Sequence, residues 1–174
     1  MKRIPNRVGG GAITNLNGLR FEKRADLRDA IKSHSDYEMH DDEVVEISTG
    51  RVVARYFEKH GLYKNLLQAN GVNWKNIISA KLLPDSALLV GETMYIIEKK
   101  YQARAGSVDE KLQTCHFKKQ QYEKLLYPLG ISVEYYYVLN EWFDQPKFAD
   151  VFEYIEQVGC RYFLVEIPID EIGL

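Results

Sequence analysis

The chain has 174 residues, of which 45% are hydrophobic and 28% charged, and its formal net charge is −2. This length suits one domain of ordinary size, and the composition is globular rather than disordered or fibrous. No apolar run approaches the roughly 20 residues that span a bilayer, and no apolar stretch follows the basic start, so we expect neither a membrane span nor a secretory signal. We predict a single cytoplasmic domain over residues 1–174, with a flexible glycine-rich start at about residues 1–15.

The cysteines and the charge distribution exclude further classes of protein. Cys115 and Cys160 are the only cysteines, and no CxxC pair or suitably spaced histidine accompanies them. We therefore expect two buried thiols rather than a disulfide framework or a zinc site. The net charge argues against nucleic-acid binding by bulk electrostatics. Residues 98–124 nevertheless hold seven Lys and Arg against four acids, which makes one segment of an acidic chain basic.

The first half of the chain predicts helices around a few strands. Apolar residues interleaved with charge predict an amphipathic helix at residues 18–32, which Asn17 can cap. The polar residues 34–42 predict a loop. Strands at 44–47 and 51–57, and then helices near 59–68 and 74–80, are expected to follow, in that order.

A β-hairpin is predicted in the middle of the chain. Residues 86–90 form a short apolar run, Gly91-Glu92-Thr93 turns the chain, and residues 94–101 run back. The two strands are therefore antiparallel neighbours.

The second half predicts a helix, a strand, a helix and a last strand, at about residues 107–126, 132–139, 148–158 and 161–165. Ser107 and Glu110 have the spacing of a capping box at the start of the first of these helices. The tyrosines of the run at residues 135–137 suit the pleated surface of a strand and the core. Together with the hairpin, this order predicts an α/β fold in which helices flank a central mixed β-sheet.

The residues with chemical potential lie at the ends of the hairpin strands. Asp85 stands at the head of one strand, and Glu98-Lys99-Lys100 ends the other after 12 intervening residues. Because strand side chains alternate, Glu98 and Lys100 should share a face while Lys99 points to the other. Two carboxylates so placed can share Mg²⁺, a hard cation that takes oxygen ligands. Such a cation neutralises charge on a phosphate and activates water, and Lys100 would contact the same phosphate.

The spacing alone is a weak signal, because Asp109-Glu110-Lys111 has the same acid-x-lysine form. That second match falls at a predicted helix start without a hairpin partner. The alternative for either match is a set of surface salt bridges. The strand context and the basic segment that follows favour the match at Glu98.

Pro84-Asp85 and the run Ile-Ile-Glu-Lys-Lys at residues 96–100, in a β-β-α-β context, resemble the PD-(D/E)xK nuclease superfamily. Among its members the chain resembles the small Type II restriction endonucleases, over about residues 16–139. The resemblance implies a restriction-endonuclease-like core and Mg²⁺-dependent hydrolysis of phosphodiester bonds, with Mn²⁺ as a substitute. It also implies Asp85 and Glu98 as metal ligands and catalytic residues, and Lys100 as the catalytic lysine.

The resemblance implies a further acid on the helix that precedes the hairpin. Many superfamily members carry one that reaches the metal directly or through water, and Glu22 is the best-placed candidate here. The alternative is a solvated helix acid that pairs with Lys23 or Arg24. Glu22 is therefore a secondary candidate for the metal site.

DNA contacts are expected from the helix that follows the catalytic strand. A helix N-terminus presents unpaired N–H groups and partial positive charge, and superfamily members often lay this helix along the DNA backbone. Ser107, Lys111 and Lys118 would then contact phosphates, and Gln113 or Gln121 would touch the site or a base edge. The alternative is a capped helix with a charged outer face.

These observations lead us to expect a restriction-type endonuclease for double-stranded DNA, in which a homodimer matches a palindrome. One alternative is a structure-selective DNA repair or Holliday-junction-resolving nuclease of the same fold. Another is a catalytically inactive DNA-binding module. No phosphate-binding P-loop and no GxSxG motif occurs, so nucleotide hydrolysis and serine-hydrolase chemistry are not indicated.

Overall fold

The computed structural model describes residues 10–104, 106 and 108–174, which build one seven-stranded sheet. The strands lie side by side in chain order: β1 (Tyr37–His40), β2 (Glu43–Glu46), β3 (Arg51–Phe57), β4 (Ser86–Val90), β5 (Thr93–Lys100), β6 (Ser132–Leu139) and β7 (Arg161–Leu164). Neighbours from β1 to β5 are antiparallel, whereas β5, β6 and β7 run parallel. The predicted mixed sheet is confirmed.

Helices flank both faces of this sheet, which confirms the predicted α/β architecture. They are α1 (Gly10–Arg24), α2 (Leu27–Ser33), α3 (Val108–Leu112), α4 (Cys115–Leu126) and α5 (Ala149–Gln157). A π-helical segment, Leu62–Leu67, and a 3₁₀ turn, Gln68–Asn70, form the helical region predicted near residues 59–68. In the described part of the chain, no helix has the length and apolar character needed to cross a bilayer.

Alternation along the central strands divides the core into two layers. On one face, Met94 and Ile96 pack with Tyr122 and Leu125 of α4. On the other, Ile97 packs with residues of α1 and α2. The three tyrosines of β6 divide in the same way, since Tyr135 and Tyr137 join the first layer and Tyr136 the second, and all three are buried. Glu98, two residues after Ile96, is thereby directed to the α4 side.

The helix predicted over residues 18–32 is wrong in two respects. It begins at Gly10, so Asn17 is an interior residue and not a cap, and it breaks into α1 and α2. The break occurs because Asp26 is extended and its side chain accepts a hydrogen bond from Asp29 N–H at 3.2 Å, which makes it the N-cap of α2. Of the predicted flexible start, residues 1–9 lie outside the described residues, and the backbone from residue 10 is helical.

The helix predicted at residues 107–126 is also two helices. Thr114 lies at the break, where its hydroxyl donates to the Lys111 carbonyl at 2.7 Å and its N–H contacts the same oxygen at 3.2 Å. The Tyr137 hydroxyl donates to this carbonyl as well, at 3.2 Å. The hydroxyls compete with the helical hydrogen bond at this point, so the chain turns before α4 begins.

Two further elements differ from the prediction. The segment predicted as a loop at residues 34–42 contains β1, whose half-buried Tyr37 and Met39 alternate with exposed polar residues at the edge of the sheet. The helix predicted at residues 74–80 is only the 3₁₀ turn Trp74–Asn76, which Asn73 caps. Short elements such as these have too few apolar positions for a periodic signal. Cys115 and Cys160 are buried free thiols, as predicted.

Buried phenols make the fold sensitive to alkali. Burial raises the pKa of Tyr56 to about 12, and burial raises the pKa values of Tyr122, Tyr135 and Tyr137 further. An unfolded tyrosine titrates near 10, so the buried protonated phenols contribute their full stabilisation below about pH 10. This contribution is lost as the pH rises through the pKa of the folded state. Tyr56 alone should account for a loss on the order of 2–3 kcal/mol.

We therefore expect urea denaturation to show falling stability above about pH 10. Phenolate absorbance should show exposed tyrosines such as Tyr127, which is 83% exposed, ionising first, and the buried group ionising only as the protein unfolds. Ionisation of all 12 tyrosines in one step, with the fold intact, would contradict this prediction.

Candidate active site

The hairpin of β4 and β5 positions the first carboxylate pair. Ser86 lies opposite Ile97 in the antiparallel register, so the next position places Asp85 opposite Glu98 at the open end of the hairpin. The turn at the other end is short because Gly91 adopts a φ of +55°, a left-handed conformation that favours glycine. The hairpin thereby brings together two acids that 12 intervening residues separate in the sequence.

Strand alternation directs the two lysines as predicted. Lys100 shares the face of Glu98, and its Nζ lies 2.8 Å from Glu98 Oε2 and 3.2 Å from the Lys99 carbonyl. Lys99 points to the opposite face, where its Nζ lies 3.1 Å from Asp26 Oδ2. Lys99 therefore ties β5 to the junction of α1 and α2, and Lys100 is the lysine available at the carboxylates.

Glu98 is the most enclosed charged group of the site, with 7% of its surface exposed. Its Oε2 atom also receives the ammonium of Lys118 from α4, at 3.3 Å. Two ammonium groups therefore converge on one carboxylate, which offsets the cost of burying it. Lys118, predicted as a phosphate contact, thus lies within the site itself.

Asp85 is held by the backbone of the facing strand. Its Oδ2 atom accepts a hydrogen bond from the Lys99 N–H at 2.8 Å. The preceding residue is fixed as well, since the Pro84 carbonyl accepts from the Lys59 N–H at 2.9 Å. Because this carboxylate is already held in place, it loses little further conformational entropy when it binds a ligand.

A cavity of about 350 Å³ opens beside this pair. We call it the site cavity, and four carboxylates and three lysines line it: Glu22, Asp26, Glu58, Asp85, Lys59, Lys99 and Lys100. Glu98 is not one of its lining residues, but it is in contact with Lys100, which is. The arrangement offers oxygen ligands and ammonium groups within one solvent-accessible recess.

The donor set fits a hydrated divalent cation. Within the described part of the chain, the second oxygen of Asp85 and of Glu98 accepts no hydrogen bond, so each is available to a metal. No three His, Cys, Asp or Glu side chains of the described residues are grouped to hold a metal by themselves. Mg²⁺ commonly takes one or two carboxylates and keeps several waters, so the fit is to that ion rather than to zinc or calcium.

The hydroxyl of Tyr122 supports the same fit. It is buried and has no hydrogen-bond partner among the described residues. Burial raises the pKa of Tyr122, and the charges of Glu98 and Asp85 raise it further, so the phenol stays protonated near both carboxylates. Water held at these carboxylates would satisfy the hydroxyl, which is otherwise costly to leave unpaired.

The remaining predicted site residues lie at different distances from this centre. Glu22 is exposed and lines the site cavity beside Asp85. Lys111 is exposed on α3, and Gln121 is half-buried on α4. Gln113 is exposed and lines a separate cavity with Asp150, Val151 and Tyr154. The predicted phosphate contact Ser107 lies outside the described residues.

Sequence reasoning missed several groups around the site cavity. Glu58 and Lys59 follow β3 directly, and the Lys59 N–H bonds the Pro84 carbonyl beside Asp85, so charge at the end of a predicted strand was the available signal. Asp26 gave no such signal because it fell inside a helix predicted to be continuous. Tyr122 lies four residues after Lys118, which is one helical turn, but only the packing of α4 on β5 brings it to the carboxylates.

The two ammonium groups on Glu98 give a stability prediction. Glu98→Gln leaves Lys100 and Lys118 facing each other without a counter-charge, and we expect a loss of about 2 kcal/mol in the free energy of unfolding. Lys118→Gln leaves Glu98 paired with Lys100, and should cost less than about 1 kcal/mol. Urea denaturation of both variants checks the order, and equal losses, or a Glu98→Gln variant as stable as the wild type, would show that the three charges are not coupled.

Comparison with known proteins adds no family assignment. No protein-family model matches the chain, and a search of curated proteins finds no match. The similarity to the PD-(D/E)xK superfamily therefore remains a prediction, and the geometry of the site must support any function.

Proposed function

We propose that the chain is a Mg²⁺-dependent endonuclease that hydrolyses phosphodiester bonds of double-stranded DNA. The observation that carries the proposal is the convergence of Asp85, Glu98 and Lys100 from two antiparallel strands, with Lys100 Nζ 2.8 Å from Glu98 Oε2. Two oxygen donors for a cation and one ammonium for an anion are the groups that phosphoryl chemistry requires.

Each group has a distinct role in this proposal. Asp85 and Glu98 would hold Mg²⁺ through the oxygens that their hydrogen bonds leave available. When bound, the cation supplies neutralisation of the phosphate and a lower pKa for water. Lys100 would leave Glu98 for the scissile phosphate or the attacking water, and Lys118 would keep Glu98 paired during that change. The half-buried position of both lysines strengthens these interactions relative to bulk water.

The order of elements supports a restriction-endonuclease-like core. Two helices, five antiparallel strands, a second helix pair and a parallel strand follow one another as α1 to β6, and the acid-x-lysine motif ends β5, the fifth of those strands. This is the β-β-α-β context, preceded by a helix with Glu22, on which the resemblance is based. The chemistry and the topology thus favour the same class of enzyme.

Within that class we favour a restriction-type enzyme that acts as a homodimer. A single site cuts one strand, and two sites related by two-fold symmetry cut both strands of a palindrome. The basic α4, which supplies Lys118 to the site, is the candidate surface for the DNA backbone. Sedimentation equilibrium, with and without a cleavable duplex, measures the molar mass in solution and so shows whether the chain is a dimer.

The direct test is digestion of supercoiled plasmid with Mg²⁺, with Mn²⁺ and with EDTA, followed by sequencing of the ends. The proposal expects cleavage with either metal, none with EDTA, and discrete bands with one shared end sequence. Preferred cleavage of branched junctions over linear duplex, whatever the sequence, would make it a junction-resolving nuclease of the same fold. DNA binding without cleavage would make it an inactive binding module and overturn the catalytic assignment.

A further inference from the structure

A second cavity, of about 450 Å³, lies in the segment that joins β3 to β4. This segment leaves the site cavity at Lys59 and returns to it at Asp85, yet the two cavities share no lining residue. Tyr63 in its wall and Tyr122 beside the site carboxylates belong to the same buried hydrophobic layer. We call it the aromatic cavity, and it is a neighbour of the candidate active site rather than a part of it.

Two aromatic rings form one wall of the aromatic cavity. Tyr63 and Trp74 meet edge to face, with ring centroids 6.1 Å apart and planes at 86°. The Tyr63 hydroxyl is fixed because it donates to the Leu82 carbonyl at 2.8 Å and accepts from the Leu82 N–H at 3.0 Å. Asn73 caps the turn that carries Trp74. The half-buried indole is therefore presented in a fixed position before any ligand arrives.

Cations surround this aromatic wall. Lys81 Nζ lies 4.9 Å from the centroid of the Tyr63 ring and 5.1 Å from that of Trp74, and Lys75 Nζ lies 6.0 Å from the Trp74 ring. Lys64, exposed on the π-helical segment, also lines the cavity. Among the described residues, none of those that line it is acidic. In a chain whose net charge is −2, this recess favours a ligand with both a π-face and a negative charge.

The local backbone is also unusual. Tyr63 and Lys64 belong to the π-helical segment Leu62–Leu67, and π-helical turns occur frequently at functional sites. Gly71, at the end of the following turn, has a φ of +73° and lines the cavity.

We propose that the aromatic cavity binds one unpaired nucleotide of a DNA strand, with the base turned out of the duplex against Trp74 and the phosphate near Lys64 and Lys81. Stacking on an aromatic ring suits any base, and lysine binds phosphate as a point charge. The inference rests on the proposed function, because the strand is the one held at the site cavity. The aromatic cavity would set how far the strand extends from the scissile bond.

Tryptophan fluorescence tests this proposal without cleavage. The chain has two tryptophans, so Trp142→Phe leaves Trp74 as the only reporter. Titration with a short oligothymidylate in EDTA should quench Trp74 emission, with the same midpoint as the anisotropy of a labelled strand. A strand that binds by anisotropy without changing Trp74 emission overturns the proposal. Quenching by dTMP as strong as that by the strand, at equal nucleotide concentration, overturns the assignment to a strand.

Affinity measurements on the otherwise intact chain give an independent readout. Trp74→Leu should weaken oligothymidylate binding between about fivefold and a hundredfold, as expected for the loss of one base–aromatic stack. Lys81→Gln should lower the slope of log K against log salt by about 0.7, the value for one phosphate contact on a single strand. Lys147→Gln is the matched control, because Lys147 also covers a tryptophan, at 4.1 Å, but does not line the cavity.

The outcomes separate this inference from the proposed function. Metal-dependent cleavage with unchanged affinity in Trp74→Leu refutes the aromatic cavity as a strand site and leaves the nuclease intact. Quenching and weakened binding without any cleavage support the aromatic cavity and refute the nuclease. A Lys147→Gln variant with the same loss as Lys81→Gln would show a general charge effect, and would overturn the role of Lys81. Circular dichroism confirms that each variant is folded.

Discussion

Replacing Lys100 by Ala is expected to slow DNA cleavage by about 10²- to 10³-fold, the cost of removing one group that stabilises transition-state charge. The ammonium lies 2.8 Å from Glu98 Oε2, on the strand face that Glu98 occupies, so the variant removes the cation nearest the carboxylates. Single-turnover cleavage of a duplex at saturating Mg²⁺ measures the chemical step. DNA affinity should change by much less, because one of several lysines is lost.

The second acid-x-lysine motif supplies the control for this variant. Lys111 follows Asp109 and Glu110 in the same spacing, and it is exposed on α3. Lys111→Ala should leave the single-turnover rate within about threefold of the wild type and at most weaken DNA binding. Equal rates for Lys100→Ala and the wild type would remove Lys100 from the chemistry.

Replacing Asp85 by Asn should abolish metal-dependent cleavage, with a loss of at least about 10²-fold, because a neutral amide is a poor ligand for Mg²⁺. The change is small in volume, and the amide oxygen can still accept the Lys99 N–H that Asp85 Oδ2 accepts at 2.8 Å. We therefore expect the fold to survive. Isothermal titration with Mn²⁺ should show weaker binding in parallel with the loss of cleavage.

The matched control is another acid of the site cavity. Glu58 is exposed, and its Oε2 atom accepts a 3.4 Å hydrogen bond from the Tyr56 hydroxyl. Glu58→Gln keeps that shape and should preserve most Mn²⁺ binding if Asp85 and Glu98 are the ligands. A larger loss of Mn²⁺ binding in Glu58→Gln than in Asp85→Asn would move the metal to the other side of the cavity.

The part of the site that lies on the hairpin could be predicted from the sequence because its geometry is local. Alternation along one strand places Glu98 with Lys100 and directs Lys99 away, and a short Gly turn returns Asp85 to Glu98. The mixed sheet followed from the order of the elements for a similar reason. These relations depend on chain neighbours and strand periodicity rather than on tertiary packing.

The contacts made across layers could not be predicted in the same way. Lys118 reaches Glu98 only because α4 packs on that face of β5, and Asp26 reaches Lys99 only because the first helix breaks there. Both breaks in the predicted helices depend on a side chain that competes with backbone hydrogen bonds, Asp26 in one case and Thr114 in the other. Sequence periodicity carries little information about such competition, since Asp and Thr are also found inside helices.

The most direct test of the central claim is the position of a bound cation. Crystals grown with Mn²⁺ and an uncleaved duplex, measured at the manganese absorption edge, should show an anomalous peak between the carboxylates of Asp85 and Glu98, with the scissile phosphate beside Lys100. A metal bound elsewhere, or DNA bound away from Lys100, would contradict the proposed function.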